Sequence, residues 1–396
     1  MKIVLISTLY PPIVVGGAEK AAAMLAEALV RRGDEVAVIS LHDGAEEIVE
    51  ERNGVRVYRL PLDNIYWPFG SHARKSPTKR LMWHLRDLWN WRAARRVAAL
   101  LDTEKPDVVH SHAIVGFSVA VWREAKRRGI RLVHTTHDYY LMCLRSDMFP
   151  GGKKCAGSCF QCTVGTAGKR FAAQSLDEVV TVSNFVLERH RARGYFEGVK
   201  ASVGYNISPP VAHMTSREMP AADGELVFGY IGRVERQKGI HILLAATRLL
   251  KRDNWRLRIA GAGVASFVAD LKKEYPDPRI VWLGFSNAPD FYASVDTVIV
   301  SSIWEDPLPY VSIESLEYGR SLLAARSGGI PEIAALGGVV ETYSAENPAA
   351  LAAAMDLALG DVTRWRSGGF ADPEAYIRFS ETVVVEEYRA RYQGRT

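Results

Sequence analysis

Short apolar runs alternate with helix-forming segments along most of the chain. Residues 2–7 form the first run, Gly16-Gly17 follows, and the helical pattern of residues 18–32 ends at Gly33 before a second run at 36–40. This order predicts a strand, a helix and a parallel strand. Because the same alternation recurs over residues 107–193, we expect a parallel sheet with helices on both faces.

The alternation stops between residues 207 and 223, where Ser208-Pro209-Pro210 and Pro220 indicate a linker, and it resumes at residue 224. We therefore predict an α/β fold with one doubly wound domain over residues 1–206 and a second over residues 224–372. Ligands of such sheets bind at the carboxyl ends of the strands. Two such domains in tandem predict a binding cleft between them.

Composition and charge narrow the class of protein. The 396 residues are 48% hydrophobic and 24% charged, which is typical of globular proteins and excludes collagen, coiled coil and disorder. We expect a cytoplasmic protein, because no stretch approaches the roughly 18 apolar residues of a membrane helix and no signal-peptide cleavage pattern follows the first strand. Residues 1–200 hold 30 basic and 21 acidic side chains, so this half is the better host for an anionic partner.

Two glycine-containing loops have features of phosphate-binding sites. Gly16 and Gly17 lie between the first strand and first helix, where a ligand can approach the backbone and the helix N-terminus attracts anions; an ordinary strand-to-helix turn is the alternative. Arg233 and Lys238 follow the first strand of the second domain and can clamp a diphosphate; the alternative is a solvated basic loop. The second loop lacks the glycine spacing of a P-loop.

Two carboxylates bracket a later strand-to-helix junction. Asp306 and Glu314 are eight residues apart, an arrangement suited to sugar and ribose hydroxyls. Glu305 competes with Asp306 as the first acid. The alternative is an acidic cap that favours the dipole of the following helix.

Histidines fall at the ends of neighbouring predicted strands. They are His110, His112, His134 and His137. His137 precedes Asp138 at the cleft end of its strand. A single strand-end histidine is usually structural, but four on one sheet favour a functional cluster as much as a structural one.

Together these motifs resemble retaining glycosyltransferases of family 4 over nearly the whole chain. The order of the matching segments is that of the family: Pro11-Pro12, Gly16 to Glu19, residues 106–112, His137, Ser183, Gly232 to Gly239, Gly261 to Gly263, Asp306 to Glu314 and Gly328 to Glu332. The resemblance implies the GT-B fold, in which two Rossmann-like doubly wound domains face each other across a cleft. It implies that the second domain holds a nucleotide-sugar donor, that the first holds the acceptor, and that a helix within residues 373–396 crosses back to the N-terminal domain.

The resemblance also assigns roles to residues. The implied catalytic set is His137, Asp306, Arg233 and Lys238, and the implied donor-binding set is Gly16, Gly17, Arg233, Lys238, Leu308, Tyr310, Val311 and Glu314. Asp306 stands where the family usually has Glu. Pro309 stands where Gly is common and offers no N–H, which leaves the sugar contacts to its neighbours.

The reaction implied is transfer of a sugar from a nucleoside diphosphate to a hydroxyl with retention, in polysaccharide or glycolipid biosynthesis. No cofactor or divalent metal is required, because the basic side chains stabilise the departing diphosphate. Alternatives are a GT-B nucleotide-sugar epimerase and a non-catalytic sugar-binding subunit. Cys155-x3-Cys159-x2-Cys162 also matches the iron–sulfur spacing of radical enzymes, although those carry it near the start of a barrel. We expect no nucleic-acid partner.

Four cysteines cluster in the first domain. Cys143, Cys155, Cys159 and Cys162 supply the ligand number of a closed tetrahedral zinc site, and we predict a structural zinc there. Their spacing is not that of paired Cys-x2-Cys knuckles. Free thiols or a disulfide are the alternatives.

Residues 72–96 combine basic and aromatic side chains. Eight Lys or Arg residues and one acid, Asp87, are interleaved with Trp83, Trp89 and Trp91. This composition predicts docking on an anionic membrane, at the inner face, to reach a lipid-linked acceptor. The alternative is a helix buried by its Trp face with solvated Arg outside.

Overall fold

The computed structural model describes residues 1–69, 75–155, 157, 159–208, 224–370 and 372–395. Residues 209–223 of the predicted linker and residues 72–74 of the basic segment lie outside the described residues. The chain forms two compact units. The first comprises Met1–Met148, Cys155–Ile207 and Glu381–Thr396, and the second comprises Phe149–Lys154 and Ser208–Ser380.

The first unit is built on an eight-stranded sheet. Its strands are β1 (Lys2–Ile6), β2 (Glu35–His42), β3 (Ile48–Arg52), β4 (Val55–Pro61), β5 (Val108–Ser111), β6 (Arg131–Thr136), β7 (Glu178–Thr181) and β8 (Lys200–Val203). Their order across the sheet is β3-β4-β2-β1-β5-β6-β7-β8. The helices between them are α1 (Gly17–Arg31), α2 (Pro77–Leu88), α3 (Trp91–Glu104), α4 (Ala120–Arg127), α5 (Phe160–Gly165), α6 (Ala167–Ala173) and α7 (Asn184–Arg191).

Burial explains the strands of this sheet. The central strand β1 is almost wholly buried, as expected for a parallel strand covered on both faces. The edge strand β3 pairs antiparallel with β4 through a two-residue turn, in which Asn53 and Gly54 have φ of 51° and 78°. Asn-Gly suits such a turn because both positions need positive φ.

The second unit carries a six-stranded, all-parallel sheet. Its strands are β9 (Leu226–Ile231), β10 (Trp255–Ala260), β11 (Ile280–Gly284), β12 (Thr297–Val300), β13 (Ser321–Ala325) and β14 (Val340–Tyr343), in the order β11-β10-β9-β12-β13-β14. Its helices are α8 (Ile240–Thr247), α9 (Ala265–Glu274), α10 (Ala288–Ala293), α11 (Tyr310–Glu317), α12 (Ile330–Ala334), α13 (Pro348–Gly360), α14 (Val362–Arg366) and α15 (Pro373–Ile377).

One more helix returns to the first unit. The helix α16 (Glu381–Tyr392) buries Val384, Val385, Tyr388 and Tyr392 in the same apolar core as Ile3 of β1. The first unit is therefore assembled from segments that are far apart in the sequence.

Both sheets reverse their strand order at a switch point. In the first unit the chain moves outward from β1 to β2 on one side and continues through β5 on the other. In the second unit the same reversal separates β9 from β12. Crevices for ligands in open parallel sheets form at such points, outside the carboxyl ends of the strands. Ligand-binding residues are therefore expected in the loops after β1, β5, β9 and β12.

Candidate functional site

The loop after β9 presents the two basic side chains expected to bind phosphate. Arg233 is half exposed, and its Nη1 donates a hydrogen bond to Glu235 Oε1 at 3.0 Å. Lys238 lies two residues before α8, with Gly239 between them at φ of 71°. A Cβ at Gly239 would lie 1.7 Å from the carbonyl oxygen of Ser301, so only glycine permits this approach to the chain after β12.

Asp306 meets Lys238 at the switch point of the second sheet. The Lys238 ammonium donates to Asp306 Oδ2 and also lies 5.2 Å from the ring centre of Trp304. Asp306 is 6% exposed. The N–H of Gly329 donates to the Asp306 carbonyl at 2.9 Å, and a Cβ on Gly328 would come within 2.1 Å of that oxygen. The structure thus brings together Lys238, Asp306 and the Gly328-Gly329 turn after β13.

Leu308, Tyr310, Val311 and Glu314 follow on the junction leading into α11. Leu308 is 7% exposed, and the other three are partly buried. Glu314 accepts a hydrogen bond from the Tyr292 hydroxyl at 2.9 Å, and the Tyr292 ring stacks on Tyr318 at 4.5 Å. Tyr292 was not among the predicted residues. It lies in α10, and only the packing of α10 on α11 reveals its contact with Glu314.

Gly16 and Gly17 lie at the exposed N-terminus of α1 in the first unit. Gly16 is the N-cap, and its N–H donates to the carboxylate of Glu19 at 2.8 Å. Glu19 is 9% exposed. The carboxylate fixes the first turn of a 15-residue helix. The glycine pair therefore lies where the loop after β1 enters α1.

The strand-end histidines of the first unit are brought together by β5 and β6. His112 Nδ1 lies 2.9 Å from His137 Nε2, and the planes of the two rings are within 20° of each other. Burial lowers the pKa of His137 to about 4, and burial also lowers the pKa of His112 well below 6.5. Both imidazoles are therefore neutral near pH 7. His134 instead contacts Ser111, with Nδ1 2.9 Å from Oγ.

The structure does not support the predicted structural zinc. Cys143, Cys155, Cys159 and Cys162 are free, and in the described parts of the chain no three His, Cys, Asp or Glu side chains are grouped to hold a metal ion. Cys143 is 4% exposed and packs in the core. The exposed Cys159 caps α5, accepting a hydrogen bond from the Cys162 N–H at 3.4 Å. Cys143 therefore contributes to packing, and Cys159 caps a helix.

The basic segment forms two helices rather than one, with its tryptophans unequally exposed. Trp83 is 4% exposed, and its indole N–H donates to the Tyr66 carbonyl at 3.0 Å. α2 instead exposes Leu81, Met82 and Leu85, each by more than half. No helix in the described residues is long and apolar enough to span a bilayer.

Comparison with known proteins identifies the family of this chain. A family model described as a glycosyl transferase 4-like domain matches residues 16–203, and one described as glycosyl transferases group 1 matches residues 225–361. A 42.6 kDa protein in the cps region of Klebsiella pneumoniae is 32% identical over 84% of this chain and 87% of its own length. The chain belongs to glycosyltransferase family 4. An uncharacterized glycosyltransferase of Methanocaldococcus jannaschii is 26% identical to it over 84% of the chain and 82% of that protein.

Solved structures identify the fold of this glycosyltransferase. Sucrose-phosphate synthase from Thermosynechococcus elongatus superposes with a TM-score of 0.76 at 18% identity, covering 99% of this chain and 98% of the other. Anabaena HepE in complex with UDP and glucose gives a TM-score of 0.73 at 19% identity, covering both chains completely. The two parallel-sheet α/β units of the glycosyltransferase are those of the GT-B fold, which confirms the predicted fold class.

Proposed function

We propose that the glycosyltransferase transfers a sugar from a nucleoside diphosphate sugar to a hydroxyl of a saccharide acceptor, with retention at the anomeric carbon and without a divalent metal. The observation that carries the proposal is the grouping of Lys238 and Asp306 at the switch point of the second sheet, with Arg233 on the same loop. This grouping supplies fixed positive charge beside a buried carboxylate. Such preorganised charge stabilises a departing diphosphate.

Each residue takes a role in this proposal. Arg233 and Lys238 bind the donor diphosphate, and donor binding draws Lys238 from the Asp306 carboxylate toward the phosphates. Asp306 is then free to accept a hydroxyl of the transferred sugar. Glu314, held by Tyr292 at 2.9 Å, accepts the ribose hydroxyls.

The backbone contributes further contacts to the sugar and the phosphates. Leu308, Tyr310 and Val311 surround Pro309, which has no N–H, and their backbone lines the sugar site. Gly16 and Gly17 offer the N-terminus of α1 to the phosphates, and His137 donates to the sugar near the reacting carbon. The attacking acceptor hydroxyl then passes its proton to the departing phosphate oxygen. No separate protein nucleophile is required.

Polysaccharide biosynthesis is the context we infer. The 32% identical relative lies in a cps region, and a lipopolysaccharide 1,2-N-acetylglucosaminetransferase of Salmonella typhimurium is 30% identical over 45% of this chain. Both support a saccharide acceptor built into a surface polymer. Binding of UDP and glucose by HepE supports a nucleotide sugar as the donor.

A panel of nucleotide sugars tests the donor site. Arg233→Ala and Lys238→Ala should each lower kcat/KM by about ten- to a hundredfold, since a charge-assisted hydrogen bond is worth roughly 1.5 to 3 kcal/mol. Lys273→Ala, an exposed cation on α9 of the same unit, is the matched control and should change it less than twofold. Equal effects at the site and at the control would refute the assignment.

Two measurements test the mechanism. NMR of the product should show the donor's anomeric configuration, and activity should persist in excess EDTA. Inversion or complete loss with EDTA would contradict the proposal. Product analysis without acceptor separates transfer from epimerisation, because only an epimerase returns an altered nucleotide sugar.

A separate experiment tests whether Asp306 or Glu305 is the acid that contacts the sugar. Asp306 is buried against Lys238, whereas its neighbour Glu305 is more exposed. Asp306→Asn should therefore abolish transfer, and Glu305→Gln should retain it. The opposite pattern would move the sugar contact to Glu305.

We further propose that α2 docks the glycosyltransferase on an anionic membrane surface. Leu81, Met82 and Leu85 are 60%, 55% and 57% exposed, and the exposed Lys79 and Arg80 immediately precede them. An apolar helix face flanked by cations suits an interface rich in anionic lipid. Of the three tryptophans that the sequence favoured for this role, Trp83 faces inward, whereas Trp91 is 50% exposed.

Flotation with vesicles containing anionic lipid tests the docking at low salt. The double variant Leu81→Ser, Leu85→Ser should lose co-flotation. Leu357→Ser removes a leucine that is 53% exposed on α13 and should retain it. Absence of wild-type co-flotation, or equal loss in the control, would reject the proposal.

A further inference from the structure

The imidazole of His137 is held by a second imidazole. The only described partner of His137 Nε2 is Nδ1 of His112, at 2.9 Å. His112 is 2% exposed and follows β5 directly, where its N–H donates to the Ile6 carbonyl at 2.8 Å. The backbone of His112 is thus fixed by β1, and its ring is directed at the end of β6.

His112 also packs against His110, and both ring nitrogens of His110 are hydrogen-bonded. The two ring centres lie 4.1 Å apart. His110 Nδ1 lies 2.7 Å from the Tyr392 hydroxyl, and His110 Nε2 lies 2.8 Å from Thr135 Oγ1. Both partners are buried. Both ring nitrogens of His110 therefore have hydrogen-bond partners. These contacts hold the His110 ring in place against His112.

Proton placement between the two imidazoles has only two solutions when both are neutral. In the first, His112 Nδ1–H donates and His137 Nε2 accepts, so the proton of His137 sits on Nδ1. In the second, His137 Nε2–H donates, so the proton of His112 sits on its Nε2. That nitrogen is buried and has no hydrogen-bond partner among the described residues.

The first solution is favoured by the cost of burial. An orphaned N–H donor in the interior is rarer and costlier than an acceptor with an unused lone pair. The first solution leaves only an unused lone pair on His112 Nε2. It also gives His137 an N–H on Nδ1, a nitrogen that makes no hydrogen bond to a described residue.

We propose that His112 is a positioning residue that fixes His137 as the Nδ1–H tautomer, so that His137 presents a hydrogen-bond donor to the sugar being transferred. This inference rests on the proposed function, because it takes His137 as a sugar contact. The chemical group recognised is an acceptor oxygen of the donor sugar. A His137 with its proton on Nε2 would present only a lone pair at Nδ1 and could not donate to that oxygen.

The tautomer can be measured without activity. Nitrogen NMR of protein labelled with ¹⁵N-histidine distinguishes a protonated from a bare ring nitrogen by chemical shift, and His137→Asn identifies the signals of His137. The wild-type protein should show protonated Nδ1 and bare Nε2 at His137. The reverse assignment would overturn the proposal whatever the enzyme's activity.

Steady-state kinetics test whether His112 positions His137. His112→Leu removes the hydrogen bond and should lower kcat at least tenfold with donor KM changed less than threefold. His112→Asn should recover activity to within about threefold of wild type, since its amide nitrogen reaches the place of Nδ1. Equal loss in both variants, with unchanged thermal unfolding, would contradict a role through this hydrogen bond.

A double-mutant cycle separates this inference from the proposed function. In a His137→Ala background, His112→Leu should have no further effect on kcat, because its influence passes through His137. An additive loss would refute the positioning role. Full activity of His137→Ala alone would instead refute the sugar contact, while the measured tautomer would still report on His112.

Discussion

Acid should destabilise the first unit much more than the second. Four histidines of the first unit are at most 3% exposed: His110, His112, His134 and His190. Burial lowers the pKa of all four and is the largest cause of each shift. It lowers the pKa of His134 to about 3 and the pKa of His190 to about 4. A histidine that is neutral in the folded state and charged in the unfolded state makes unfolding easier as pH falls below 6.5.

The size of this destabilisation follows mainly from protonation of histidine in the unfolded state. At pH 5.5 an unfolded histidine with pKa 6.5 gains about 1.4 kcal/mol by protonation, so four that burial keeps neutral in the folded state contribute about 5.6 kcal/mol. Asp87 and Asp138 oppose this, because burial raises the pKa of each to about 6. They offset about 0.8 kcal/mol each at this pH. His137, whose pKa burial lowers to about 4, adds about 1.4 kcal/mol, so the net loss between pH 7.5 and 5.5 is about 5.4 kcal/mol, a large part of a typical folding free energy.

The second unit is an internal control. Its one described histidine is the half-buried His241. Burial is the main cause of the lowered pKa of this histidine. Burial raises the pKa of Glu317 to about 7, which favours the folded state on acidification. These two effects oppose each other. We therefore expect little change in the stability of this unit.

Hydrogen exchange resolved by peptide tests this difference. After correction for intrinsic rates, protection of β5 and β6 should fall by about ten-thousandfold between pH 7.5 and 5.5, and protection of β9 and β12 by less than tenfold. His190→Phe keeps an aromatic ring among Tyr195 and Phe196 and should make the loss about 1.4 kcal/mol smaller. The reasoning would be refuted if both units lost protection equally on acidification. It would also be refuted if His190→Phe lost as much protection as the wild type.

Three further outcomes concern the second unit. Gly328→Ala should lower Tm and nucleotide affinity, because φ is 61° and the new Cβ would lie 2.1 Å from the Asp306 carbonyl oxygen; normal values of both would contradict this. Lys238→Met should cost about 2 kcal/mol in urea unfolding by leaving Asp306 buried without its partner, and adding Asp306→Asn should recover part of that loss. Tyr292→Phe should raise donor KM about tenfold with kcat nearly unchanged, since it removes the hydrogen bond to Glu314; steady-state kinetics decide this.

Much of the fold could be predicted because parallel strands buried on both faces are continuous apolar runs. The predicted strand at residues 2–7 and helix at residues 18–32 correspond to β1 (Lys2–Ile6) and α1 (Gly17–Arg31), with each end within one residue. The hairpin of β3 and β4 was missed. Its edge strand exposes Ile48 and Val49, which blurs the pattern, and the Asn53-Gly54 pair was the signal that would have revealed it.

The candidate site was predictable in its residue types but not in its contacts. The pairing of Lys238 with Asp306 depends on β9 and β12 being neighbours, although 68 positions separate the two residues. The contact of His112 with His137 likewise requires β5 beside β6. Spacing along the chain carries no information on strand order. The zinc prediction is not supported, because within the described residues the four thiols form no group able to hold a metal ion.

The return of α16 to the first unit sets an order on folding during synthesis. The ribosome makes all of the second unit's main segment, Ser208–Ser380, before Tyr388 and Tyr392 exist. The second unit can therefore fold while the first still lacks one side of its apolar core and both hydroxyls that support His110 and Thr135. A nascent chain released before α16 would carry a complete Lys238 and Asp306 site with an unfinished histidine cluster. We expect such a fragment to bind nucleotide without transferring sugar, and to be recognised by proteases through its exposed core.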